Sequence, residues 1–421
     1  MTGKKTILAA AAAAIFWAQP ASADTVCEWM ELAGRLGSAA QAAPMQPAEQ
    51  TRATTRTALA MFEALNRIEP RYRSYLAFAA PANPDASQDA AAATAAFKVL
   101  AHHHPSQRTA LEESYALAMS TLPDGPAKEA GRLIGEAAAT AAIAAGGVDP
   151  AIEQTPYRPR AAPGEWIGAS LPSLEPYWGA IRPWIVASPD ALRPAPPVPL
   201  TSARWARDYE EVRRLGGRAS TERTPHQTLV ARYRQAFDTI PSMRLVADRP
   251  GRTPVQNARM FAVYQMAFDD AAQAMVVAKQ HYDFWRPITA IRNGAQDGND
   301  ATPADPAWLP LLPTPNFSEY PCGHCTVAAA IAEVMKAETG NSPAGGVRIM
   351  SQAIPMSVVQ SFPSWDAWAQ EVSDSRIYGG VHFRFSNEAG EEIGRRAARL
   401  VLERALQPLP AAAAPRRRRR G

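Results

Sequence analysis

Apolar residues recur every three to four positions along most of this chain, and that period predicts helices. Between 47 and 69 the stripe runs through Ala58, Met61, Phe62, Leu65 and Ile68 and stops at Pro70. An alanine-rich helix is predicted over 85–101, ending at His102-His103-His104-Pro105. Two more follow over 106–121 and 127–145, the second closed by Gly146-Gly147. The pattern resumes at 202–215 and at 224–238, where Thr224-Pro225 suits an N-cap and first helical residue. It continues over 255–285, 324–339 with Gly340 as C-cap, 364–374 and 387–406. Residues 148–200 break the period with prolines and tryptophans, among them Pro156, Trp166, Trp178 and Trp184. A stretch this aromatic is not a flexible linker. We expect an ordered, irregular segment that crosses the helices at the rim of a site.

No unit of solenoid length repeats. The expected fold is all-α, built as two packed helical bundles, with the chemistry in the C-terminal half. The expected division is a signal peptide over 1–23, then an N-terminal helical region over 24–200 that includes the Trp/Pro-rich segment. A C-terminal helical domain over 201–407 and a disordered Ala/Pro/Arg tail over 408–421 complete it.

Composition changes this picture at the two ends. Lys4-Lys5, the apolar run from Ile7 to Trp17 and the small residues Ala21-Ser22-Ala23 have the layout of a secretory signal, with cleavage before Asp24. That run is too short to span a bilayer comfortably, so the mature protein is expected to be exported, periplasmic or extracellular, without a transmembrane segment. The net charge of +4 becomes −3 once Lys4, Lys5 and Arg416 to Arg420 are set aside. The basic character is therefore a tail property, and no basic face for nucleic acid is expected in the folded part. Of the three cysteines, Cys27, Cys322 and Cys325, two can pair in an oxidising compartment, leaving one thiol.

Candidate chemistry gathers in three segments. Lys279 and Arg286 are seven residues apart, which on one continuous helix places both on the same side among apolar and aromatic neighbours. Buried cations need partners; a Lys279–Asp283 ion pair is the plain alternative to a ligand. Pro321-Cys322-Gly323-His324 opens a helix whose free N–H groups and dipole suit an anion, with His324 as an acid–base group at its mouth. Arg376, Gly379-Gly380 and His382 precede the last long helix, for which Ser386 is a reasonable N-cap with Glu388 in the first turn. Two other patterns are weaker. The histidines 102–104 point in different directions on a helix and read as a surface helix end, not a metal site. Cys322-Gly323-His324-Cys325 has the CxxC form of disulfide exchangers, but helices surround it where that chemistry uses a βαβ sheet.

The three segments, in this order and spacing, resemble the vanadium-dependent haloperoxidase and type 2 phosphatidic acid phosphatase (PAP2) superfamily. Its pattern is Lys-x6-Arg-Pro, then Pro-Ser-Gly-His, then Ser-Arg-x3-Gly-x-His-x3-Asp. Lys279, Arg286-Pro287, Pro321, Gly323-His324, Ser375-Arg376, Gly380 and His382 match it. Phe284 to Arg292 and Phe317 to Pro321 look like the haloperoxidase branch, and Arg223 to Thr228 like its secreted bacterial members. The resemblance implies a vanadium chloroperoxidase/PAP2-like helical fold and a vanadate cofactor, with no haem. It implies His382 as the metal ligand, Lys279, Arg286, Cys322, Gly323 and Arg376 around the oxyanion, and His324 as the acid–base residue. Hydrogen peroxide would oxidise halide to a hypohalous-acid equivalent that halogenates a small organic acceptor. In the phosphatase branch the same residues hold a phosphate ester, His382 acts as nucleophile and His324 as leaving-group acid. Two positions depart from the pattern. Cys322 stands for the serine that donates to the oxyanion, and a thiol is a weak donor. Ser386 stands for the aspartate four after the metal-binding histidine, which weakens its expected support.

Overall fold

The computed structural model describes residues 24–39, 47–145, 160–168, 181–235, 239–350 and 359–410. The expected signal peptide, Gly146-Gly147 and all of the tail after residue 410 lie outside the described residues. The first helices are α1 (Thr25–Ala39), α2 (Pro47–Ile68), α3 (Gln88–His103), α4 (Arg108–Ser120) and α5 (Pro126–Ala145). Then come α6 (Ala203–Leu215), α7 (Pro225–Tyr233), α8 (Ile240–Ala247), α9 (Pro254–Tyr282), α10 (Pro287–Arg292) and α11 (Gly323–Thr339). A two-stranded antiparallel hairpin, β1 (Val347–Met350) and β2 (Val359–Phe362), precedes α12 (Trp365–Tyr378) and α13 (Arg384–Arg404).

The long helix α9 is buried nearly all round, as expected of a helix with no polar face. It packs against α2 of the first bundle and against α11 and α13 of the second, so one helix joins the two. Small residues set how close the other helices come. A Cβ at Gly135 of α5 would lie 2.5 Å from the carbonyl oxygen of Ala91 in α3. In the second bundle a Cβ at Gly390 or Gly394 of α13 would lie 2.4 Å from the Cys322 carbonyl or 2.0 Å from that of Thr326. The alanine and glycine content of the sequence is therefore what lets backbones touch. Among the described residues no helix is long and apolar enough to cross a membrane.

Several boundaries differ from the periodicity. The helix expected over 224–238 ends at Tyr233, and α8 restarts at Ile240-Pro241. The one expected over 255–285 ends at Tyr282 because Asp283 takes a left-handed φ of 44° and returns its N–H to the Lys279 carbonyl. Helix α12 runs on to Tyr378, so Ser375 and Arg376 are helical. Helix α13 starts at Arg384 with Phe383 as N-cap, which puts Ser386 inside the first turn instead of before it. The histidine run is not wholly at the surface: His104 is buried, and His103 meets Arg56 at 3.2 Å. Among the described residues no cluster suits a metal ion.

The irregular segment is ordered where it is described. Backbone N–H groups of Trp184, Ile185 and Val186 all donate to Asp270 of α9, and the Trp184 indole donates to Asp269. Further along, the Pro194 and Ala195 carbonyls accept from the hydroxyls of Tyr282, inside the first candidate segment, and Tyr320, directly before the second.

Candidate active site

The left-handed turn at Asp283 decides how Lys279 and Arg286 meet. They do not share a helix face, since Arg286 is the extended N-cap of α10. Both nevertheless converge on the loop before α11. Lys279 Nζ donates to the carbonyls of Ser318 (2.8 Å) and Glu319 (2.7 Å), and Arg286 Nε donates to that of Phe317 (2.8 Å). The Phe317 ring lies 5.2 Å from Lys279 Nζ and 4.8 Å from the Arg286 guanidinium. Asp283 pairs instead with Arg160, at 3.7 Å, so the Lys279–Asp283 ion pair is not formed.

Arg286 Nη1 reaches the Val381 carbonyl (2.9 Å) and His382 Nε2 (3.1 Å), which ties the first segment to the third. His382 follows a tight turn that needs Gly380. Its φ is +73°, and a Cβ there would lie 2.4 Å from the Gly216 carbonyl. Arg376, from the last turn of α12, donates to the Arg234 carbonyl at 3.3 Å. The charges of Arg286, Lys279 and Arg376, and the ring of His324, all act on His382. The structure thus brings Lys279, Arg286, Arg376, His324 and His382 together, with Gly323 at the first position of α11, where a backbone N–H has no helical acceptor.

Cys322 is different. It is bonded to Cys325, with Cα atoms 5.4 Å apart, and its Sγ accepts the Cys325 N–H. The bridge leaves no S–H to donate, so the expected role of Cys322 as an oxyanion donor fails, while its place as N-cap of α11 remains. Neither sulfur-bearing residue is exposed, which also closes the route to thiol exchange. Cys27 is the remaining thiol and is buried.

Sequence reasoning missed Glu319. It is fully buried, and its Oε1 accepts from His382 Nδ1 at 2.8 Å and from the Phe383 N–H at 3.0 Å. The available signal was chemical. Buried cations call for an anion, and Glu319 is the one carboxylate between Pro306 and Ala332. The carbonyls of Arg234 and Gln235 were missed too; the latter lies 3.4 Å from His324 Nε2.

Electrostatics follow from burying three cations with one carboxylate. Burial, then the neighbouring Arg286, holds Lys279 well below the usual lysine range. Burial takes Arg286 down to about 9 and Arg376 to about 10, both still charged at neutral pH. Burial pushes Glu319 up to about 7 against the pull of Lys279 and Arg286. His324 and His382 are both driven well down, first by burial and then by the arginines, so both are neutral. Arg286 Nη2 and Arg376 Nε are buried with no hydrogen-bond partner among the described residues. A surplus of positive charge, two unpaired guanidinium nitrogens and a helix N-terminus make a site for a tetrahedral oxyanion.

Comparison with known proteins agrees with this geometry. Residues 259–410 match the VCPO second helical-bundle domain. Vanadium chloroperoxidase of Curvularia inaequalis is 25% identical over 182 residues, which is 32% of this chain and 29% of that protein. The chain therefore spans under a third of the length of that curated relative. Among solved structures, the first bacterial vanadium-dependent iodoperoxidase superposes with a TM-score of 0.76 at 19% identity, over 92% of this chain and 98% of that one. A bacterial vanadium-dependent chloroperoxidase superposes in its apo form with a TM-score of 0.66 at 17% identity, over 86% and 95%. A holo-type bacterial vanadium-dependent chloroperoxidase gives 0.65 at 18%, over 88% and 94%. Residues 259–410 are thus similar to the second helical bundle of the vanadium chloroperoxidases, and the chain has the fold of the bacterial vanadium-dependent iodo- and chloroperoxidases.

Proposed function

We propose that the protein is a vanadate-dependent haloperoxidase that oxidises halide with hydrogen peroxide. The observation that carries the reading is the pair of buried, unpartnered nitrogens, Arg286 Nη2 and Arg376 Nε, beside a neutral His382. Three cations less one carboxylate leave a surplus near two positive charges, which a dianionic oxyanion neutralises, so the residues fit vanadate. Lys279, Arg286, Arg376 and the Gly323 N–H would hold its oxygens, and His382 Nε2 would supply the ligand lone pair. Bound there, vanadate supplies Lewis-acid activation of peroxide towards halide without a change of valence.

The chain's own residues do the rest. Lys279 and Arg286 would hold the anion without reorganising, because backbone carbonyls already fix them. His324, neutral and partly exposed at the start of α11, would take a proton from hydrogen peroxide entering the site. Among the described residues the Cys322–Cys325 bridge supports export to an oxidising compartment. N-terminal sequencing of the mature protein should then begin at Asp24.

The decisive assay follows bromination of a phenolic acceptor and hydrolysis of an aryl phosphate in one preparation, with and without vanadate. We expect peroxide- and vanadate-dependent bromination, lost in His324→Ala. Aryl phosphate turnover without any vanadate-dependent bromination would overturn the reading in favour of a phosphatase at the same site.

A further inference from the structure

Ser386 occupies the position where the resembling family carries an aspartate, yet His382 does not lack a carboxylate. Glu319 supplies one from the loop before α11, 63 residues away in sequence. Its Oε1 accepts both His382 Nδ1–H and the Phe383 N–H, and it is 0% exposed. The opposite face of the ring settles which nitrogen carries the proton. Arg286 Nη1 lies 3.1 Å from Nε2, and a guanidinium has only donors, so Nε2 accepts and Nδ1 donates. Glu319 is itself fixed, because Lys279 Nζ holds its carbonyl oxygen at 2.7 Å and Ser386 Oγ lies 3.5 Å from the same atom.

We propose that Glu319 is the positioning residue of this site, locking His382 in the Nδ1–H form so that its Nε2 lone pair faces the bound oxyanion. The inference rests on the reading above for the identity of the ligand, but not for the state of the ring. It also makes a distinction that plain electrostatics reverses. Ionised Glu319 repels an anion, so deleting it should favour any anion held by the cations alone. An anion that also needs the Nε2 lone pair should bind more weakly, by the ~10–100-fold typical of removing the hydrogen-bond partner of a ligating histidine.

The test uses the full chain labelled with 15N-histidine, with the His382 signal assigned by its loss in His382→Gln. Long-range 1H–15N spectra report the tautomer, and separate titrations report orthovanadate and inorganic phosphate affinity. In wild type we expect Nδ1–H. In Glu319→Ala we expect a mixture of tautomers, vanadate weakened ~10–100-fold and phosphate unchanged or tighter. Glu319→Ala combined with Ser386→Asp should recover both the tautomer and the vanadate affinity. If Glu319→Ala does not fold, Glu319→Gln keeps the volume with a weaker acceptor, and the vanadate-to-phosphate affinity ratio should fall by a smaller factor. An unchanged tautomer with vanadate and phosphate shifting by one common factor would overturn the proposal. A wild-type protein that binds phosphate but not vanadate would remove the haloperoxidase reading, while the tautomer would still judge Glu319.

Discussion

Two clusters of buried charge sit nine residues apart on α9, and they are built in opposite ways. Around Asp269 and Asp270 the carboxylates outnumber the cation. Arg52 pairs with Asp269 at 3.1 Å, and its guanidinium lies 4.5 Å from the centre of the Trp184 ring. Asp270 takes three backbone N–H groups at 2.7 to 2.9 Å. Arg52 Nε and Nη1 have no hydrogen-bond partner among the described residues, but the charge is met by Asp269. Around Lys279 the cations outnumber the carboxylate, and their partners are mostly neutral carbonyls. The first arrangement is closed and serves to hold the 184–186 segment onto the helix. The second is left short of negative charge, which costs stability and leaves an anion site. Burying charge is thus a fastening in one place and a binding device in the other. What separates them is the balance of sign, not the degree of burial.

The largest effect should come from breaking the closed cluster. Arg52→Met leaves Asp269 buried without its cation, and we expect a loss of about 3–5 kcal/mol in denaturant unfolding with no change in oxyanion affinity. A loss below the error of the measurement would mean the cluster is not a fastening.

Next is the pH dependence at Asp270, whose carboxyl burial pushes up to about 6. A carboxyl raised in the fold contributes stability that is present below its unfolded value near 3.8 and is lost as pH rises through about 6. Its share should therefore fall by about 2 kcal/mol between pH 4 and 6.5. Denaturation curves of wild type and Asp270→Asn across that range isolate it, and parallel curves would refute it.

The smallest effect sharpens the contrast most. Among the described residues Arg376 has one hydrogen bond, at 3.3 Å, and no paired carboxylate. Arg376→Met should leave the unloaded protein as stable as wild type, or more stable by about 1–2 kcal/mol, while oxyanion affinity falls. A destabilisation as large as that of Arg52→Met would erase the distinction between the clusters.

Much of this was legible in the residues, for identifiable reasons. The amphipathic and alanine-rich runs placed α2, α3, α5, α9 and α11, and Thr224-Pro225 and Gly340 marked helix ends where the structure puts them. The three chemistry-bearing segments were visible because spacing along the chain preserves their order. What remained hidden depends on contacts distant in sequence. Nothing near Asp283 announces its left-handed turn, which is held by the Trp166 N–H on its carbonyl and by Arg160. Glu319 meets His382 only after α11, α12 and the hairpin are folded between them. The Ser386 substitution looked like a loss because the compensating carboxylate arrives from another segment. The hairpin escaped notice because each strand is four residues long, too short for a period to show.

Calorimetric titration of the purified, metal-free protein with orthovanadate at neutral pH tests the central claim most directly. The account predicts one vanadate per chain, displaced by excess phosphate, with the vanadate heat lost in His382→Ala. No binding, or equal binding in wild type and His382→Ala, would contradict it.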